Sequence, residues 1–390
     1  MSQHQGHGPH LTRRSWITLA LSALGGCGGG AAVTAGAPGT GGTGLYAMGS
    51  IQGFGSVILN GIKFDDTLAT IHMDGATVLS ADLRLGMVAN VQAARASSAI
   101  PATATTAATL ATATASVIEV WSVAQGAIGQ VGSGQFTLAG MTVQTNTATV
   151  LDGLSNPTQL TAGERVTVWG LQAGADGSTW TATRVAITTD TSVVSSGLVH
   201  VTSGQRSLNG LALTGMAVAD LAAGTLVRVQ GQLSATADSL AVTSVRVLTT
   251  STTEQGEAEL EGLVTALVSA SRFMLGSVTV DTSGLTQTAP VTLGERVEVA
   301  GSWLQGVLQA TKLGHENEQT LIEVEIDAPI QAFTSLADFV VRSQRCDASA
   351  VTSVGHGSIA DLKVGVRIKV KGTKAGDVLI VTEVELETDH

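Results

Sequence analysis

The sequence predicts an all-β protein: five tandem small β-barrel (OB-like) domains behind a signal peptide and a Gly-rich tether. Three observations predict it. A strand pattern bracketed by glycines recurs five times. Glycine is abundant, at 47 of 390 residues, while aromatics are few (5 Trp, 1 Tyr, 6 Phe), so the cores must be built from Val, Leu, Ile and Ala. The copies are spaced by 77, 61, 70 and 71 residues, enough for about six short strands apiece. An open sheet of that size has two exposed edges, and closure into a barrel removes them.

The same composition sets other classes aside. Only 13% of residues are charged, too few for a long coiled coil. Two cysteines make no disulfide scaffold. A net charge of −11 disfavours nucleic acid as a partner. No apolar run reaches the ~20 residues that cross a bilayer.

Residues 1–26 read as an export signal. Arg13 and Arg14 form a positive n-region, and Trp16 to Leu24 is an apolar h-region too short to span as a mature helix. Thr12-Arg13-Arg14-Ser15-Trp16-Ile17 resembles a loose twin-arginine export motif. Leu24-Gly25-Gly26-Cys27 resembles a bacterial lipobox, which implies cleavage before Cys27 and a diacylglycerol on its thiol. Gly28, in place of an Asp, fits sorting to the outer membrane. The alternative is an ordinary secretory signal with a chance cysteine. Residues 27–47 then serve as a flexible Gly/Ala/Thr tether. Cleavage removes His4, His7 and His10, and leaves 18 basic against 31 acidic residues, a charge of −13.

The repeat begins with a Gly, with apolar residues three and five positions on and a small residue seven positions on. It reads Gly86/Ala89/Val91/Ala93, Gly163/Val166/Val168/Gly170, Gly224/Val227/Val229/Gly231, Gly294/Val297/Val299/Gly301 and Gly365/Ile368/Val370/Gly372. Apolar residues two apart share one face of a strand, so each copy is a strand between turn glycines. Asp82-Leu83, Asp220-Leu221 and Asp361-Leu362 precede it, with Gln159-Leu160 and Pro290-Val291 as weaker versions. There the acidic residue closes a turn, Leu plugs the core and Gly takes positive φ. A cation ligand is the alternative for the Asp, but two copies lack it.

A second strand follows each time, closed by a Thr two residues before an aliphatic: Thr183, Thr243, Thr311 and Thr382, with Ser116 in the first copy. Each unit opens on a hairpin, with Leu59-Asn60-Gly61, Leu138-Ala139-Gly140 and Leu208-Asn209-Gly210 as tight tips. The expected units are 48–122, 123–190, 191–252, 256–318 and 319–390. Residues 97–115, an Ala/Thr run, are expected to be a disordered loop within the first.

Gly53 to Val57, the Leu59-Asn60-Gly61 turn, the Phe64-Asp65 pair and the Leu-x-x-Gly strand resemble domain-of-unknown-function family 5666 (DUF5666), over roughly Met48 to Glu387 and best in the first unit. That resemblance implies a β-rich module, often in tandem, of exported proteins and lipoproteins of Gram-negative bacteria. It carries no catalytic residue and no assigned activity.

No catalytic, metal or cofactor motif stands out. Gly39 to Gly44 spells GxGxxG but lies in the tether, not between a strand and a helix. Cys346 reads as a buried strand residue. His315-Glu316-Asn317-Glu318 reads as a solvated linker before it reads as a cation site. Trp121, Trp169, Trp180 and Trp303 lie near unit ends, where they fill contacts between units or line a glycan groove, with Trp169 and Trp180 as the candidate ligand platform. The expectation is a non-enzymatic, lipid-anchored envelope protein of the outer membrane with a structural or interaction role. It uses no cofactor, binds no nucleic acid, and has an envelope protein or glycan as its expected partner. The alternative is an envelope glycan- or cation-binding protein.

Overall fold

The computed structural model describes residues 44–98, 110–154, 156–175, 177–215, 218–236, 238–248, 256–286, 289–316, 323–375 and 377–387. Arg13, Arg14, Cys27 and the tether to residue 43 lie outside them, as do residues 99–109 and 317–322.

Among the described residues the chain is all-β, without an α-helix; its helical turns are short 3-10 segments such as Ser80–Asp82, Pro157–Gln159 and Ile359–Asp361. The second unit shows the architecture. Its five main strands are Ala124–Gly132, Gln135–Leu138, Met141–Gln144, Arg165–Gln172 and Thr179–Ile187. Hydrogen bonding runs one–two–three–five–four–one, and of these pairs only three and five are parallel. The edge left by strand four thus closes on strand one, so no edge remains. The same closed path runs through Glu257–Ser269, Arg272–Leu275, Val278–Asp281, Arg296–Leu304 and Val307–Glu316. It runs again through Glu323–Ser335, Asp338–Val341, Gln344–Asp347, Arg367–Ala375 and Val378–Leu386. In the first and third units strand one is broken in two, as Gly44–Ser50 with Gly53–Phe54 and as Val193–Leu198 with His200–Thr202. The pieces keep the same order of partners.

The repeated residues have separate tasks. The opening glycines Gly86, Gly163, Gly224, Gly294 and Gly365 all have φ between 77° and 89°, the left-handed region the turn requires. Before Gly86 and Gly365 a side chain caps the turn from three residues downstream: Asp82 accepts from Leu79 N at 2.9 Å and Asp361 from Ser358 N at 2.9 Å. In the fourth unit Glu295, just after Gly294, accepts from Thr292 N at 2.7 Å. Leu83, Leu160 and Leu362 are buried plugs.

The closing glycines differ from the sequence reading, which made them turn residues. They sit inside strand four at a β-bulge, where the register to strand five slips by one residue. A Cβ on Gly170, Gly231, Gly301 or Gly372 would stand 2.1–2.5 Å from a carbonyl oxygen of strand five. Steric approach, not φ, therefore selects glycine there. The recurrent Thr belongs to the same bulge. Thr243, Thr311 and Thr382 donate to the carbonyls of Gln230, Ala300 and Lys371, each the residue before the closing glycine, at 3.1, 3.2 and 3.3 Å. In the first unit Ser116 donates to Gln92 O at 3.0 Å beside Ala93.

Two boundaries move. Strand one begins at Gly44, so the last residues assigned to the tether belong to the first barrel. The Ala/Thr run expected as a loop over 97–115 is strand from Ala111 onward, pairing with Val88–Ser97. Its alternation puts Ala111, Ala113 and Ala115 inward and buried, and methyl groups suffice to fill that narrow interior.

Neighbours in space are not only the neighbours in sequence. Gly44–Ser50 lies parallel to Glu257–Ser269 of the fourth unit, with Leu45 opposite Glu257 and Met48 opposite Leu260. Gly53–Phe54 lies parallel to Glu323–Ser335 of the fifth. Units one, four and five thereby share one sheet, and units two and three share another. Glycine again sets the approach: a Cβ on Gly53 would meet Glu325 O at 2.4 Å, and one on Gly49 the side chains of Asn60 and Glu261 at 2.2 and 2.7 Å.

Gly301→Val is expected to lower stability by about 1–3 kcal/mol through overpacking at the bulge. Thr311→Val, which loses one exposed hydrogen bond, is expected to cost under about 1 kcal/mol. Urea unfolding of both variants checks the order; equal midpoints would show that the bulge contact does not select the glycine.

A cavity where four units meet

The first unit and the linker after it receive an arginine from each of the other four. Arg184 of the second unit donates to Leu85 O at 3.0 Å while pairing with Asp152. Arg228 of the third donates to Ser122 O at 2.7 Å and to Asp74 at 2.9 Å. Arg296 of the fourth grips Glu261 through Nε at 2.6 Å and reaches Ser50 Oγ at 3.1 Å. Arg342 of the fifth donates to Ser80 Oγ at 2.9 Å and stacks 4.1 Å over Phe54. Burial pulls the Arg184 guanidinium down to about 10, against the pull of Asp152, and burial likewise lowers Arg228 and Arg342. At about 10, Arg184 remains cationic at neutral pH. Each of the three has carbonyl, hydroxyl or carboxylate acceptors on part of its guanidinium, as a buried charge needs, while the Nε of Arg184 and of Arg342 is buried without a partner.

Around this hub lies a cavity of about 150 Å³, walled by units one to four. Unit one supplies Tyr46, Met48 and Asn90, with Trp121 just beyond its last strand. Unit two supplies Leu171, Gln172 and Trp180. Unit three supplies Leu226, Arg246 and Val247, and unit four Glu261, Leu275, Ser277 and Val278. The wall is mostly apolar and aromatic. Its two charges are both engaged: Arg246 pairs with Glu119 at 2.8 Å and stacks 3.7 Å over Trp121, and Glu261 is held by Arg296 and by Ser50 N at 2.9 Å. Asn90, half-buried on the wall, has no side-chain hydrogen-bond partner among the described residues.

The sequence-predicted platform is split. Trp180 lines the cavity, 6% exposed, with Nε1 donating to Gly177 O at 2.8 Å. Trp169, also 6% exposed, packs into the shared core of units one and five with the Arg184 guanidinium 6.0 Å from its ring centre. Neither ring forms an exposed platform, so only Trp180 is placed to meet a ligand, from inside the cavity. Cys27, Arg13 and Arg14 lie outside the described residues. The sequence missed Tyr46, Asn90, Gln172 and Arg246, which hold no repeat position in common and meet only through tertiary contact. Among the described residues no three His, Cys, Asp or Glu side chains gather as a metal site. His315 instead pairs with Glu295 at 2.5 Å. Burial pushes the Cys346 thiol up to about 12, which keeps it protonated and un-nucleophilic at neutral pH.

A second space of only about 20 Å³ lies where units one, two, four and five meet, with Lys374 on its wall. Lys374 is buried and donates to Gln344 Oε1 at 2.8 Å. Burial first, and then nearby Arg184, lower its ammonium to about 8 against the opposing pull of Asp377, Cys346 and Asp152.

Compared with known families, residues 125–186, 261–314 and 327–385 match the family described as a domain of unknown function, DUF5666. These are the second, fourth and fifth units, whereas the first unit carried the clearest resemblance on inspection. No curated protein matches the chain.

Arg296→Met is expected to cost about 3–5 kcal/mol, because it leaves Glu261 buried without its cation; thermal unfolding reads the loss, and a change near zero would show Glu261 to be solvated. Lys374 sets a pH dependence. From pH 8 to 10.5 the unfolded chain holds this proton and the folded chain does not, so stability rises with pH across that window, by up to about 3 kcal/mol. Below pH 8 the full penalty applies. Lys374→Met is expected to flatten the rise; a variant that keeps the wild-type slope would place its source elsewhere.

Proposed function

Three of its units being members of the DUF5666 family, we propose that the protein is an exported, lipid-anchored module of the Gram-negative cell envelope, built as five OB-like barrels and serving a structural or interaction role without catalysis. The closed path one–two–three–five–four–one, with three and five parallel, supports the OB-like reading of every unit. The observation that carries the functional reading is the hub. The first unit is hydrogen-bonded strand to strand with two others and takes an arginine from all four. A lipid on Cys27 attaches to that hub, because the sixteen residues 28–43 lead directly into its first strand at Gly44. Fully extended they reach at most about 55 Å, which keeps the body close to the outer membrane.

A second reading, small-ligand binding, is favoured by the junction cavity, where an aromatic and amide wall is assembled from four units.

Cys27→Ala is expected to shift the protein from the membrane fraction to the soluble envelope fraction and to remove labelling by a palmitate analogue. Unchanged fractionation would sink the anchor.

A further inference from the structure

We propose that the junction cavity is a binding site for a small neutral molecule of about one ring, carrying a hydroxyl or other single polar group. The proposal rests on the ligand reading above and narrows it to a chemical class.

Size comes first. A space of about 150 Å³ holds an object on the scale of benzene, not an oligosaccharide or a lipid chain. Charge comes second. Arg246 is committed to Glu119 and to the face of Trp121, and Glu261 to Arg296 and Ser50. The wall has no unpaired charge to offer, so an ionic ligand would lose its hydration and find no counter-ion. Polarity comes third. Asn90 presents an amide with no partner among the described residues, able to donate to and accept from one hydroxyl. Tyr46, Trp121 and Trp180 supply aromatic surface from two units. Ser277 is an exposed residue at the hairpin tip of the fourth unit, on the cavity wall.

The test uses the full chain, with phenol, benzoate and benzylammonium as probes of one ring size and three charges, and benzene as the ring without the hydroxyl. Binding is read from the indole N–H signals of Trp121 and Trp180. Phenol is expected to saturate with a Kd on the order of 1 mM or below, and the two ions to bind at least about tenfold more weakly. Asn90→Leu is expected to weaken phenol by about three- to tenfold through the lost hydrogen bond while leaving benzene unchanged. Ser277→Phe, at an exposed tip that need not disturb the fold, is expected to block both rings. Equal or tighter binding of an ion overturns the neutral class but leaves the ligand reading standing. Phenol binding indifferent to both variants places the site elsewhere and overturns the proposal. Failure of all four probes overturns the proposal and the ligand reading together.

Discussion

Four barrels of this chain depend on one close approach. Within strand four a residue lets a carbonyl of strand five come nearer than a Cβ permits, and that residue is glycine; the first unit keeps the same bulge with Ala93. The bulge at this point adds the local twist that brings strand four round to strand one, so that a sheet of five short strands can close. It also leaves the carbonyl before the glycine in need of a donor, and a Thr or Ser hydroxyl in the middle of strand five supplies it. Two motifs far apart in each repeat are therefore halves of one device. The second unit is the exception that shows its use. There the Thr183 hydroxyl is buried without a partner, and Gly86 of the first unit is so close to the Thr183 carbonyl that a Cβ would meet it at 2.5 Å. The bulge of that barrel has become a docking point.

Assembly uses few charges, and places them where they decide the arrangement. Only 20 Lys and Arg serve the whole chain, yet four arginines, of which Arg184 and Arg228 are buried and Arg296 and Arg342 half-buried, converge on the first unit and its linker. An ion pair in such a place adds little net stability, since desolvation offsets most of the attraction. Its effect is on specificity: a barrel docked in any other orientation would leave a guanidinium buried without acceptors. Backbone pairing does the rest, with the broken first strand of unit one shared between units four and five.

The junction cavity is a consequence of that packing. Convex barrels meeting around a hub cannot fill the space between them, and small side chains at the contacts, such as Gly170, Gly262 and Gly276, leave it open. Its wall is assembled from residues as far apart in sequence as Tyr46 and Val278, so it exists only when the units are docked.

The sequence by itself determined the local structure. Strand, turn and core positions follow from a period of two and from glycines at fixed offsets, which are signals carried within ten residues; the positive φ of Gly86, Gly163, Gly224, Gly294 and Gly365 was legible in that spacing. The strand at Ala111 was less legible, because its alternating Ala and Thr differ little in hydropathy and its register is set by Val88–Ser97 across the hairpin. The tertiary structure alone decided which units touch. Arg184, Arg228, Arg296 and Arg342 fall at four different positions of the repeat, and their partners lie 99, 106, 246 and 262 residues away. Asn90 and Trp180 share a wall for the same reason. Contacts between copies of one unit leave no period in the sequence, since each interface is used once and selects residues for a single place in space.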